Sequence, residues 1–368
     1  MREIDSSSRE RHSDGVKSDP PELMTQSLPP PPMMVAGASV AAPAAPTGSW
    51  ITVFVKNLAA QDWFITLYFG ILMIALVNGS GPGRPECIRK VAIDFGCFFV
   101  GLLLTRGGVI PHRSFANGMV YRFALFLSVF LSYFQLREIL PAVSLRAVDA
   151  QILDFDLRVF GVEPSLAWDK YVTPATTEWF SFFYFGYFFV LSAHILPMMF
   201  NGKNPDRLAH FSLGIFMVFG IGHLVYMLVP GFGPYKYLGP RFEHELSGGL
   251  FWGLVRATVD AGGAQKDIFP SLHTAVPTFF LLFSIRYRQH LPFKYTWPPL
   301  LFAVTQIICA TMFLRWHYLV DIFAGLTLAT LSVLLSGKIV AWEKQRRERW
   351  NIPPTFTVLE YPWPKRDE

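Results

Sequence analysis

Apolar residues in this chain come in runs, and several runs approach the roughly 20 residues a helix needs to cross the hydrocarbon core of a bilayer. Eight candidate segments follow Trp50, at about 62–79, 91–110, 118–137, 177–200, 208–230, 273–290, 297–315 and 317–342. In lipid, each backbone polar group must find its partner inside the segment, so runs of this kind fold as helices. Composition agrees with the pattern. Only 16% of the 368 residues are charged and 52% are hydrophobic, whereas soluble domains carry about 25% charged residues. The sequence therefore predicts an all-α polytopic membrane protein with about eight transmembrane helices, and excludes a pair of soluble domains. A net charge of +5 without a basic stripe interleaved with aromatics gives no sign of nucleic-acid binding. Cys87, Cys97 and Cys309 show no paired spacing and read as small hydrophobes.

The chain divides by composition. Residues 1–48 are polar, then Pro- and Ala-rich, and are expected to form a disordered tail without a cleavable signal peptide. Residues 49–117 carry two additional N-terminal transmembrane helices, 118–342 a six-helix core, and 343–368 a basic C-terminal tail. The two long connections, 138–176 and 231–272, are rich in Pro, Gly, Trp and Tyr. That composition suits segments that rest at the membrane interface or cap the bundle. Lys344, Arg346, Arg347 and Arg349 directly follow the last span. The positive-inside bias then places both termini in the cytoplasm, with His273 and Arg315 on the extracytoplasmic or lumenal face.

Ionisable residues at membrane depth are costly and point to function. Two groups stand out, Phe269-Pro270-Ser271-Leu272-His273 and Arg315-Trp316-His317-Tyr318-Leu319-Val320-Asp321. His317 and Asp321 are one helical turn apart, so the carboxylate can accept the Nδ1–H of the imidazole and turn the other nitrogen outward. His273 begins a neighbouring span on the same side. Pro270 suits a first helical position, which would leave the N–H groups of Ser271, Leu272 and His273 pointing at an anion. Pro277 lacks the N–H that would bond the His273 carbonyl, so this first turn is expected to be loosened. Lys236, Arg241 and Arg315 supply cations on the same side. An anion flanked by two histidines suggests phosphoryl transfer.

These two motifs resemble the second and third signatures of the type 2 phosphatidic acid phosphatase superfamily. The branch most similar contains fungal inositol phosphorylceramide synthase and its bacterial relatives. The resemblance extends over about residues 140–342. It implies that His317 is the nucleophile of a phosphohistidine intermediate, that Asp321 orients it, and that His273 protonates the leaving oxygen. It further implies a lipid phosphate substrate, no metal and no cofactor, with water, an alcohol or ceramide as acceptor. Ser271, Arg315, Lys236 and Arg241 are then the candidate phosphate-binding residues. The phosphatase branch has Ser-Arg before the second histidine, where this chain has Ala310-Thr311. Its Lys-x6-Arg-Pro motif is missing, and Pro230–Lys236 resembles the Pro-rich element of the synthase-like branch.

The residues alone leave two other classes open. Two histidines and an aspartate are also a plausible catalytic zinc set, and intramembrane His and Asp serve as proton relays in transporters. A transporter would carry its polar residues near mid-span in broken helices, whereas here they sit at span ends. Asp154 and Asp156, in the first long connection, read as solvated or interface-capping residues. His194, His210 and His223 read as interhelical hydrogen-bonding or interfacial groups.

Overall fold

The computed structural model describes residues 49–200, 203–262 and 266–359; the expected disordered tail lies outside them. The described chain is helical, without strands. Its first four helices are α1 (Trp50–Asn57), α2 (Ala60–Asn78), α3 (Arg84–Arg106) and α4 (Phe115–Val143). The first long connection folds into α5 (Asp149–Val159) and α6 (Pro164–Ala167), and is followed by α7 (Pro174–Phe200) and α8 (Pro205–Leu228). The second holds α9 (Pro234–Tyr237) and α10 (Leu250–Gly262). Three helices end the chain: α11 (Leu272–Arg286), α12 (Phe293–Phe313) and α13 (Leu319–Arg349).

All eight expected spans are helices. Six of them, α2, α4, α7, α8, α12 and α13, are long and apolar enough to cross a membrane. The other two differ for visible reasons. Helix α3 has Arg84, Glu86, Arg89, Lys90 and Asp94 in its first half, and α11 is a shorter apolar helix of 15 residues. Local signals set the starts. Ser114 and Asn204 accept from the backbone N–H three residues on, at 3.1 and 2.9 Å, as helix N-caps do.

Helix α8 is the axis of the bundle, packed against α2, α4, α11 and α13. In its apolar window 72% of residues are buried, against 28–44% in the other five spans. The remaining spans keep wide faces of exposed Leu, Ile, Val and Phe, such as Leu67, Ile74, Phe130, Phe189 and Leu334. Such faces belong in hydrocarbon. At one end of the bundle lie the C-terminal ends of α2, α4, α8 and α12, the N-terminal ends of α7, α11 and α13, and both long connections. At the other end, Asp62 pairs with Arg106 at 3.1 Å and accepts from Tyr121 at 2.7 Å, while Arg347 reaches Glu343 and the Asn57 carbonyl. The basic tail is therefore not free over its first part. Residues 343–349 prolong α13, and Phe356 and Leu359 are buried as the chain turns back.

The close approach of α13 to α11 carries the site. A Cβ on Gly325 would stand 2.6 Å from the Ser271 carbonyl oxygen and 3.1 Å from Thr274 Cβ, and the neighbouring Ala329 is fully buried. Gly325→Val should therefore force α13 off α11, costing about 1–3 kcal/mol as overpacked cores do. A lower thermal midpoint in detergent would show it, and an unchanged midpoint would mean the helices have room to spare.

Candidate active site

The turn between α12 and α13 carries Arg315, Trp316, His317 and Tyr318, and it is held from three directions. From α12, the Thr311 carbonyl accepts the N–H groups of Trp316 (2.9 Å) and His317 (3.2 Å). Thr311 stands at the position where the phosphatase branch has arginine, and its own hydroxyl is spent on the Ile308 carbonyl. From α13, Asp321 accepts the Tyr318 N–H at 2.9 Å and its Oδ2 lies 3.4 Å from His317 Nδ1. The third hold comes from α5, where Asp149 and Asp156 lie two turns apart on one buried face. Asp156 accepts the N–H groups of Leu319 (2.7 Å) and Val320 (3.0 Å), the orphan donors at the start of α13. Asp149 accepts from Phe232 and Gly233 N–H and, at 3.2 Å, from the Tyr318 hydroxyl.

Asp149 thus ties the Pro-Gly segment of 230–234 to the histidine turn. Gly233 sits there at φ +80°, and a Cβ on it would stand 2.4 Å from the Trp316 carbonyl oxygen. The approach and the backbone conformation both require glycine. Asp154, by contrast, is exposed and pairs with Arg158 at 2.8 Å.

His273 faces this turn from α11. Its ring lies between Tyr184 (4.3 Å, stacked) and Tyr187 (4.4 Å) of α7, with its centroid 6.3 Å from that of His317. His273 Nε2 is buried with no hydrogen-bond partner among the described residues. His317 is only 4% exposed, and burial holds its imidazole below the ordinary value, to about 4, against the opposing pull of Asp267 and the Ile268 carbonyl. It is therefore neutral at pH 7.

The candidate phosphate-binding residues fare differently. Ser271 is the N-cap of α11 rather than part of an open anion nest. Its Oγ accepts from Thr274 at 3.2 Å and its N–H donates to the Asp321 carbonyl at 3.0 Å. Helix α11 begins at Leu272, so Pro270 precedes the cap; the Leu272 N–H is turned to the Tyr226 hydroxyl, which leaves that of His273. Arg315 is nearly buried in an ion pair with Asp169 at 2.7 Å, donates to the His244 carbonyl at 2.6 Å and lies over the Phe242 ring. Although burial alone would raise it, hydrogen bonds from His244 and backbone N–H groups, with Arg315 nearby, hold the Asp169 carboxyl below its usual range. Lys236 is exposed with its Nζ 4.0 Å over Phe232, and Arg241 is exposed at the end of a short turn. Among the described residues, no three His, Cys, Asp or Glu are gathered closely enough to hold a metal ion.

The sequence reading missed Asp149, Asp169, Asp267, Tyr184 and Tyr187. The spacing of Asp149 and Asp156 was a usable signal, since residues seven apart share a helix face. The expected interhelical roles hold for His210, which bridges Tyr287 and the Val333 carbonyl, and for His223, 3.2 Å from the Tyr68 hydroxyl. His194 instead bonds its own helix at Val190.

A family model of the PAP2 superfamily matches residues 150–335, half of the chain, from α5 to the middle of α13. The chain belongs to the PAP2 superfamily. Within this PAP2 region lie both histidines, Asp321, Asp156 and the tyrosines of α7. The chain is also 27% identical, over 191 residues, to a PA-phosphatase related-family protein of Dictyostelium discoideum. That stretch is 46% of this chain and 33% of the relative, so the chain spans about a third of the relative's length. No solved structure matches it with significance.

Asp156 is the support of this PAP2 site most open to test. Asp156→Ala leaves the Leu319 and Val320 N–H groups without acceptors, at a cost of about 1–3 kcal/mol, while Asp156→Asn keeps one acceptor and should fall between. The thermal midpoint and amide exchange at residues 319–320 would report this. Unchanged exchange in the Ala variant would mean that α13 starts without the clamp.

Proposed function

We propose that this PAP2 protein is a membrane-embedded lipid phosphatase or phosphotransferase working through a phosphohistidine on His317, without metal. One observation carries the reading. A buried, neutral His317 backed by Asp321 faces a second, half-buried histidine whose buried Nε2 has no partner, 6.3 Å away between ring centroids. A tetrahedral phosphate fits between two such groups. His317 Nε2 attacks phosphorus, the bond from phosphorus to the leaving oxygen breaks, and that oxygen takes a proton from His273, protonated in the complex by the charge of the phosphate. In the second half, the acceptor O–H gives its proton back to His273, its oxygen adds to phosphorus, and the P–N bond breaks to restore His317. Water as acceptor makes a phosphatase, and an alcohol makes a transferase.

Charge on the phosphate is met by the N–H of His273 and by the dipole of α11. Lys236 and Arg241 attract the anion at the mouth, while Arg315, committed to Asp169, shapes the turn. The Thr311 position and the Pro230–Lys236 segment favour the synthase-like branch, in which phosphate is passed to a lipid alcohol such as ceramide. Substrate chains would remain in hydrocarbon while the phosphate rises to the histidines.

Phosphoenzyme trapping tests the chemistry. Purified protein given labelled lipid phosphate should yield an acid-labile, base-stable phosphoenzyme in EDTA, and vanadate should inhibit, because enzymes bind transition-state mimics tightly. His317→Ala should lose the label and all turnover. His273→Ala should still take label from a substrate with a good leaving group. Label on His317→Ala protein, or chelator-sensitive activity restored by zinc, would overturn the reading.

The site is proposed to face away from the cytoplasm, on the charge asymmetry of the two ends. Glu245, exposed in the second long connection, marks that side. Glu245→Cys, with Cys87, Cys97 and Cys309 replaced, should react with an impermeant maleimide on intact cells or sealed lumen-out vesicles. Reaction only after lysis would reverse the orientation.

A further inference from the structure

Beside the two histidines lies a second set of polar side chains that the reaction above does not use. No hydrogen bond from any described residue reaches the hydroxyls of Tyr133 on α4 or of Tyr184 and Tyr187 on α7. His223 on α8 is fully buried, and while its Nδ1 meets Tyr68, its Nε2 has no partner. Its ring stacks on Tyr133, with centroids 6.1 Å apart. Tyr133 lies within electrostatic range of Tyr184, Tyr187 and Tyr226, and of Asp267, which also reaches His317. The set is thus continuous from the reacting pair inward to His223.

Depth and charge limit what it can take. At 1.5 Å per residue, Tyr133 lies about 15 Å inside the Val143 end of α4 and Tyr187 about 20 Å inside the Pro174 end of α7. A group that reaches this level arrives with an apolar body. The set contains no Lys or Arg to pair with an anion. Phenols and neutral imidazoles both donate and accept, which is the chemistry of an uncharged hydroxyl. His223 Nε2, buried and unpaired, costs free energy unless a ligand satisfies it. We propose that Tyr133, Tyr184, Tyr187 and His223 bind an uncharged hydroxyl group carried by a lipid, beside the phosphate that reacts at His273 and His317. The inference rests on the phosphohistidine reading of that pair. It reaches beyond the family match, because Tyr133, and Tyr68 behind His223, come from helices outside residues 150–335.

The hydroxyl has two possible sources, an acceptor alcohol or the headgroup of the donor lipid, and two arms separate them. In the first, full-length protein in nanodiscs receives phosphatidic acid with hexadecanol or its methyl ether, and alkyl phosphate is measured against inorganic phosphate. In the second, diacylglycerol release is compared for phosphatidylglycerol and its deoxy-headgroup analogue phosphatidylpropanol. The hydroxylated compound should be preferred in one arm, and Tyr133→Phe should reduce that preference about tenfold or more. His223→Gln serves as a second variant, with the thermal midpoint of each confirming folding. Binding of labelled hexadecanol, in excess over its ether, to the His317→Ala protein reads the site without turnover. Equal handling of hydroxyl and analogue in both arms and in binding, or a preference unmoved by either variant, would overturn the inference. Failure of the wider reading looks different: no phosphoenzyme and no turnover in either arm, while the binding measurement still decides this one.

Discussion

The turn that carries His317 depends on carboxylates that serve backbone N–H groups instead of cations. Asp156 accepts two N–H groups at the start of α13, Asp149 accepts two N–H groups and a tyrosine hydroxyl, and Asp321 accepts the N–H of Tyr318. A helix start carries partial positive charge and unsatisfied donors. A carboxylate placed there needs no counter-ion, and the donors need no water. Both needs are acute at the edge of a bilayer. The arrangement fixes the backbone on either side of His317 while leaving its outer face free.

The same economy explains the treatment of the cations. Arg315 stands two residues from His317, yet Asp169, the His244 carbonyl and the Phe242 ring use its guanidinium to fasten the second long connection over the site. Its role is to anchor this cover. At the far end of the bundle, Arg106 and Arg347 are likewise spent on Asp62, Glu343 and chain carbonyls. Polar groups are thus concentrated at the two ends. A tyrosine and histidine set also runs inward from His273, and the Nε2 atoms of His273 and His223 have no partner among the described residues.

Much of the architecture was legible because bilayer physics acts on local sequence. A run long enough to span must be helical, so the eight helices followed from run length, and the shared end of His273 and His317 from counting crossings. The four-residue step from His317 to Asp321 gave their mutual orientation. The limits are equally physical. The placing of Pro270 at the head of α11 failed because Ser271, with a hydroxyl able to accept from Thr274, outcompeted it for the cap. The assignment of Arg315 could not foresee Asp169, which lies 146 residues away.

What the sequence determined by itself was the class of fold, the two motifs and the membership of both histidines in one face of the bundle. These depend on periodicity and short spacings, which fix geometry within a single helix. Tertiary structure decided which polar groups remain free. That the Ser271 N–H and one Arg315 nitrogen are taken, while His273 Nε2 and three tyrosine hydroxyls are not, follows from partners on α13, in the turn after α6 and in the second long connection. Hydrogen-bond capacity is local to a residue, but its satisfaction belongs to whatever the fold packs against it.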